Sequence, residues 1–226
     1  EKMKRIEEQN NTIDIMLSLL KIEKEKITDN IFINGSQRIR IGDFLIKDYT
    51  KIQIDDNSLY TRVTVQMNNL GTKIRDREYG INIGTKEQFL IKEGQFILSK
   101  IDARNGAFGM VTKEIDGAIV TNDFPSYNID TSKISIDFLL LFTSSTEFIR
   151  ICGVSSRGVT GRKRVKEDIL LNIEIALPDI KEQEMTLKTI NQQFKIMDTR
   201  KDSLLIMKEL LRIGREKALK EVLYGN

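Results

Sequence analysis

The hydrophobic positions of the chain fall into three regimes. From residue 1 to about 34, Met3, Ile6, Asn10, Ile13, Leu17, Leu20, Lys24, Ile27 and Ile31 recur in steps of three and four. That is a helical seam with two polar interruptions, and the other faces are rich in Glu and Lys. From 179 to 226 the same period returns. Asp179 follows Pro178 as a candidate N-cap, and Glu182 three positions on completes a capping-box pattern. At about 1.5 Å per residue this helix would run roughly 65 Å, the length of a coiled-coil strut.

Between them, residues 35–178 change to short β patterns bounded by turn residues. Arg38–Leu45, Thr61–Met67, Gln95–Lys100, Gly109–Thr112, Ala118–Thr121 and Asn172–Leu177 read as strands. Asp137–Cys152 reads as one helix, with Phe138, Leu139, Leu141, Phe142, Phe148, Ile149 and Cys152 on its apolar side. Val165–Leu170 reads as a short helical turn. The expected fold is mixed α/β: a globular domain around a twisted sheet, flanked by two long helices.

The two helices resemble each other. A shift of 191 positions lays Met16–Ile22 on Met207–Ile213 and Glu25-Lys26 on Glu216-Lys217. The seam then continues as Phe194, Met197, Lys201, Leu204, Lys208, Leu211, Arg215, Ala218 and Val222. Helices rich in Glu, Lys and Leu also match by chance. Read as a repeat, the order is domain, helix, domain, helix. The chain starts at Glu1, not Met, and is expected to be about half of a longer protein.

Composition narrows the chemistry. The 226 residues hold no histidine and one cysteine, Cys152. That excludes a Ser-His-Asp triad, a histidine general base, thiolate or imidazole metal sites and an internal disulfide, and it suits a reducing cytoplasm. No apolar run is long enough to span a membrane, and no signal peptide is visible. The net charge of +3 is small, so any nucleic-acid surface must concentrate charge locally.

One segment does so. Ser155-Ser156-Arg157-Gly158-Val159-Thr160-Gly161-Arg162-Lys163-Arg164-Val165-Lys166 carries five cations and no carboxylate. Arg157, Arg162, Lys163, Arg164 and Lys166 suit DNA phosphates, and Ser155, Ser156 and Thr160 offer hydroxyl donors. A solvated basic loop would have the same composition. It is not a phosphate-binding P-loop, because Val159 stands where the lysine should be. Arg104 and Asn105 have the chemistry to read guanine and adenine edges. They also fit a plain turn with Asn-Gly at its tip, steadied by Asp102, and that reading is slightly preferred. Arg75 and Arg77, in Lys73–Tyr79, read equally as DNA contacts or as a charged loop neutralised by Asp76 and Glu78. Catalytic motifs fail. Asp123-Phe124-Pro125-Ser126-Tyr127 lacks the paired prolines of an amino-methyltransferase, and Pro178-Asp179 with Gln193-Phe194-Lys195 lies mostly along one helix rather than in one site.

Taken together, these residues resemble the specificity (S) subunit of a type I restriction-modification system. The resemblance is carried by Gly94–Gly109, Gly117–Phe124, Ser156–Val165 and Asn172–Pro178, with Glu182-Gln183 opening the last helix. Residues 45–90 match no known pattern. The resemblance implies three parts: 1–34 as the end of a preceding spacer helix, 35–178 as a DNA target-recognition domain, and 179–226 as a second spacer helix packed antiparallel on the first. It implies double-stranded DNA as ligand and docking to modification subunits and, through the complex, a restriction subunit. S-adenosylmethionine, ATP and Mg would sit on those partners, with no cofactor in this chain. The exposed seam also allows two copies of the chain to associate through their helices. Two other readings remain open: the recognition domain of a single-chain methyltransferase-endonuclease, and a coiled-coil assembly module without DNA contact.

Overall fold

A computed structural model describes residues 1–32, 37–158 and 163–225. The chain separates into a helical unit, Glu1–Asn30 with Met185–Asn226, and a β-rich unit, Ile31–Glu184.

The helical unit is built from α1 (Lys2–Ile31) and most of a 45-residue helix running Ile180–Tyr224. Every position of the first seam is withdrawn from solvent, with Ile6 and Ile13 buried. Ion pairs fix the antiparallel register: Lys24 Nζ to Asp198 at 3.4 Å, and Lys208 to Asp14 near the other end. Lys24 Nζ also lies 4.5 Å from the centre of the Phe194 ring. On the second helix Ile190, Met197 and Ala218 are buried, and Phe194, Leu204, Lys208 and Leu211 partly so. The expected seam positions Lys201 and Arg215 are exposed instead, and Gly214 is the withdrawn residue beside Arg215. A long cationic side chain keeps its charge in water where a neighbouring position can face the partner helix.

The β-rich unit holds thirteen described strands: β1 (Gln37–Arg40), β2 (Leu45–Asp48), β3 (Lys51–Gln53), β4 (Leu59–Val65), β5 (Thr72–Tyr79), β6 (Glu87–Leu90), β7 (Phe96–Leu98), β8 (Phe108–Met110), β9 (Ile119–Val120), β10 (Ser126–Ile129), β11 (Ser156–Arg157), β12 (Arg164–Val165) and β13 (Glu174–Leu177). Three helices join them: α2 (Ile136–Thr143), α3 (Thr146–Val154) and α4 (Glu167–Asn172); the long helix is α5. One sheet has the order β2-β10-β7-β8, a second β3-β6-β9-β4-β5, and β1-β13 and β11-β12 are two-stranded ribbons. All pairings are antiparallel except β4 with β9.

A chain of rings packs α2 and α3 on the first sheet. Phe148 stands edge-on to Phe108 at 5.0 Å and to Phe142 at 5.1 Å, and Phe96 bridges to Tyr127. Val65 and Val120 of the second sheet meet Ile97 of the first in a common core with Ile91, Val111 and Ile115. The expected single helix 137–152 is two helices. Ser145 Oγ accepts from the Phe148 N–H and starts α3 afresh. Lys73–Tyr79, expected as a charged loop, lies within strand β5, which is paired along β4.

Candidate nucleic-acid interface

The basic segment forms the β11–β12 hairpin, in which Arg157 stands opposite Arg164. Arg157 donates to the Val154 carbonyl at 2.6 Å and the Ser156 carbonyl at 3.2 Å. Its charge therefore sits on the C-terminal end of α3, where the helix dipole favours a cation. Arg164 Nη1 pairs with Asp123 Oδ1 at 2.8 Å. Lys163 and Lys166 are exposed, and neither has an ion-pair partner among the described residues. Thr160 and Arg162 lie outside the described residues.

The two serines turn inward. Ser156 Oγ donates to the Cys152 carbonyl at 2.7 Å, and Ser155 is fully buried with no described partner for its hydroxyl. Their place is under the hairpin, since Ser155 also accepts the Lys166 N–H through its carbonyl. Neither offers a hydroxyl at the surface. Burial pushes the Cys152 thiol up to about 12, so it stays protonated and inert.

Beneath the hairpin lies a charged cluster that the sequence pattern did not indicate. Glu167, at the start of α4, takes Lys47 Nζ of β2 and Lys100 Nζ at 2.6 Å each. The Tyr127 hydroxyl of β10 donates to it at 3.1 Å. Burial alone would raise the Glu167 carboxyl, but the hydrogen bonds from Lys100 and Lys47, with their charges, hold it below the ordinary glutamate range. Burial and the neighbouring carboxylate push the Tyr127 phenol upward. The main chain extends the same tie: the Val165 N–H donates to the Lys100 carbonyl, and the Lys100 N–H to that of Asp123. The β12 side of the hairpin base is thus anchored to the loops after β7 and β9, and the β11 side to α3 through Ser156 Oγ and the Cys152 carbonyl.

Arg104 and Asn105 sit in a single 3-10 turn between β7 and β8, closed by Gly106 at φ +76°. Asn105 Nδ2 donates to Asp102 Oδ1 at 3.2 Å, so the turn forms with Asp102 steadying it. Arg104 is partly buried and Asn105 exposed. The turn packs against α3, which leads directly into β11. Arg75 and Arg77 stand on β5 and are exposed. Asp76 between them is claimed from across the hairpin by Arg62, at 2.6 Å and 2.8 Å; Arg75 reaches it only at 3.4 Å. The Arg62 hydrogen bonds lead in holding the Asp76 carboxyl below its ordinary range. Arg77 has no ion pair among the described residues. Arg75 lines a cleft of about 200 Å³ with Thr121 and Phe124, the turn that also carries Asp123. The hairpin, the 121–124 turn and Arg75 are therefore neighbours, while Arg77 continues along the outer strand. Among the described residues no group of acidic or cysteine side chains could hold a metal ion.

The sequence model of the type I restriction modification DNA specificity domain matches residues 35–205. No curated protein is similar enough to this chain to count as a relative. Among solved structures, a chain from a study of complex assembly and conformational transition in the type I R-M system superposes with a TM-score of 0.68 at 11% identity, covering 99% of this chain and 56% of that one. The HsdS subunit from Thermoanaerobacter tengcongensis superposes with a TM-score of 0.58 at 13% identity, covering 99% of this chain and 55% of its own. The chain thus spans about half the length of these structures and shares their fold.

Proposed function

The chain belongs to the type I restriction modification DNA specificity domain family, and from that premise we propose that its β-rich unit reads one half of a bipartite DNA site. The carrying observation is the reach of the family match, which takes in the whole sheet-bearing domain from residue 37 onward and continues into α5. In this reading the chain does no chemistry itself. It places adenine-methylating modification subunits, and through them a restriction subunit, on DNA in the cytoplasm. S-adenosylmethionine, ATP and Mg belong to those partners. Neither the single-chain fusion nor the DNA-free assembly module is favoured.

The hairpin supports a phosphate-holding role. Lys163 and Lys166 are exposed and have no ion-pair partner among the described residues, Arg164 is balanced by one carboxylate, and the base beneath them is anchored to α3 and to the loops after β7 and β9. Phosphate contacts bind all sequences alike and carry the salt dependence of binding. Replacing Arg162, Lys163 and Arg164 by alanine should weaken binding to any duplex. It should also flatten the slope of affinity against salt by about one unit for each phosphate no longer neutralised. Filter-binding titrations at several salt concentrations measure both. Unchanged affinity and slope would remove the hairpin from the interface.

A further inference from the structure

The β4–β5 hairpin ends in a two-residue tip closed by the Leu70 N–H, which donates to the Met67 carbonyl at 3.4 Å. Asn68 and Asn69 both adopt left-handed backbone conformations, φ 60° and 59°. A two-residue hairpin loop of this kind takes positive φ at both central positions, and Asn accepts it at less cost than most residues. The tip is also held from outside. The Asn68 N–H donates to the Asn105 carbonyl at 2.8 Å, and the Asn69 N–H to that of Gly106 at 3.0 Å. The approach is tight: a Cβ on Gly106 would lie 2.5 Å from Asn69 Oδ1. Just below, Thr72 Oγ1 donates to the Met110 carbonyl at 2.8 Å.

The contact joins two turns that lie far apart in sequence. Its backbone donors and acceptors are spent on each other, while the side chains of Asn68, Asn69 and Asn105 remain exposed and Arg104 is half covered. Met67 and Leu70 flank the tip at 50% and 66% exposure. Asn pairs bidentately with adenine, Arg with guanine, and apolar groups suit the thymine methyl. Glycine at 68 and 69 would serve the turn with less strain. What asparagine adds is side-chain amides on a fixed and exposed turn, with Asn69 Oδ1 on the Gly106 side.

We propose that the Asn68–Asn69 tip and the Arg104–Asn105 turn form one rigid base-reading element, in which Asn68 and Asn69 determine specificity. This rests on the DNA-reading function above and adds the residues that discriminate bases. The test selects duplexes from a randomised DNA pool with the 226-residue chain, with Asn68→Gly/Asn69→Gly, and with Asn68→Asp. Glycine keeps the left-handed backbone and removes the amides; aspartate keeps a residue tolerant of that conformation and exchanges amide for carboxylate. Circular dichroism confirms that each variant is folded. The expected result is a preferred sequence for the parent chain and a loss of about 10- to 100-fold in discrimination at one or two base pairs in the variants. Affinity for random duplex and its salt slope stay as in the parent. If folded variants keep the parent's preference, the element is overturned and the DNA-reading function stands. If the parent prefers no sequence, both fall.

Discussion

Glu167 shows what one side chain contributes. It faces two ammonium groups and a phenol in a pocket where each partner's side chain is 15% exposed or less, so removing its charge leaves two lysines uncompensated. Breaking such a partly buried network costs about 3 kcal/mol, the low end of the range for buried ion pairs. Its carboxyl is depressed in the folded state. The stability it confers is therefore present above the unfolded value of about 4.3 and is lost as pH falls through the lower folded value. Glu167→Gln should unfold at lower urea concentration than the parent at pH 7, by about 3 kcal/mol. The gap should begin to narrow below about pH 4.3 and close only below the lower folded value. Equal urea midpoints at pH 7 would show that the cluster does not hold the fold. None of this was legible in the sequence. Lys47 and Glu167 are 120 positions apart, and neither stands in a pattern that separates it from the other charged residues.

At the level of elements, the start of α5 was legible because its signals are local. Asp179 Oδ1 accepts from the Glu182 N–H at 2.8 Å, and Glu182 Oε2 accepts from the Asp179 N–H at 3.1 Å, as the spacing predicts. The first seam was legible for the same reason. Strand β5 was not, because its charges alternate without a buried face, and its stability comes from β4 across the hairpin. The broken helix at Ser144-Ser145 was hidden because both halves are apolar and the period runs through. Gln183 joins the elements. It is fully buried, donating to the Lys133 and Pro178 carbonyls at 2.8 and 2.9 Å and accepting from the Ser135 N–H at 2.9 Å. One amide thus ties the first turn of α5 to the residue that caps α2. Gln183→Ala would remove the partner of three part-buried backbone groups and should cost about 2 kcal/mol, read by urea denaturation. Gln183→Glu, which sets a buried carboxylate against the Lys133 and Pro178 carbonyls, should cost at least as much. A variant as stable as the parent would mean that the α5 start is held by its capping box alone.

For the whole molecule, the 191-residue repeat gains physical content. In the helical unit Ile15, Met16, Leu19 and Ile22 of α1 are between 45% and 61% exposed, too apolar to be left so without reason. Shifted by 191, they become Ile206, Met207, Leu210 and Ile213 of α5, which are between 50% and 63% exposed. The seam had accounted for none of these eight residues. Because the helices run antiparallel with Asp14 against Lys208, the repeat makes a local twofold centred beside that pair. Two equal patches related by a twofold suit two copies of one partner, and the proposed modification subunits are the candidates. If the chain docks two modification subunits, Leu19→Glu should leave one bound, Leu210→Glu should do the same, and the double variant should bind none. Sedimentation of the mixed, purified subunits reads the three stoichiometries. Because the substituted positions are already exposed, helix content should not change, which circular dichroism checks. Two subunits still bound to the double variant would mean that the repeated patches serve something else and that the partner docks on another face.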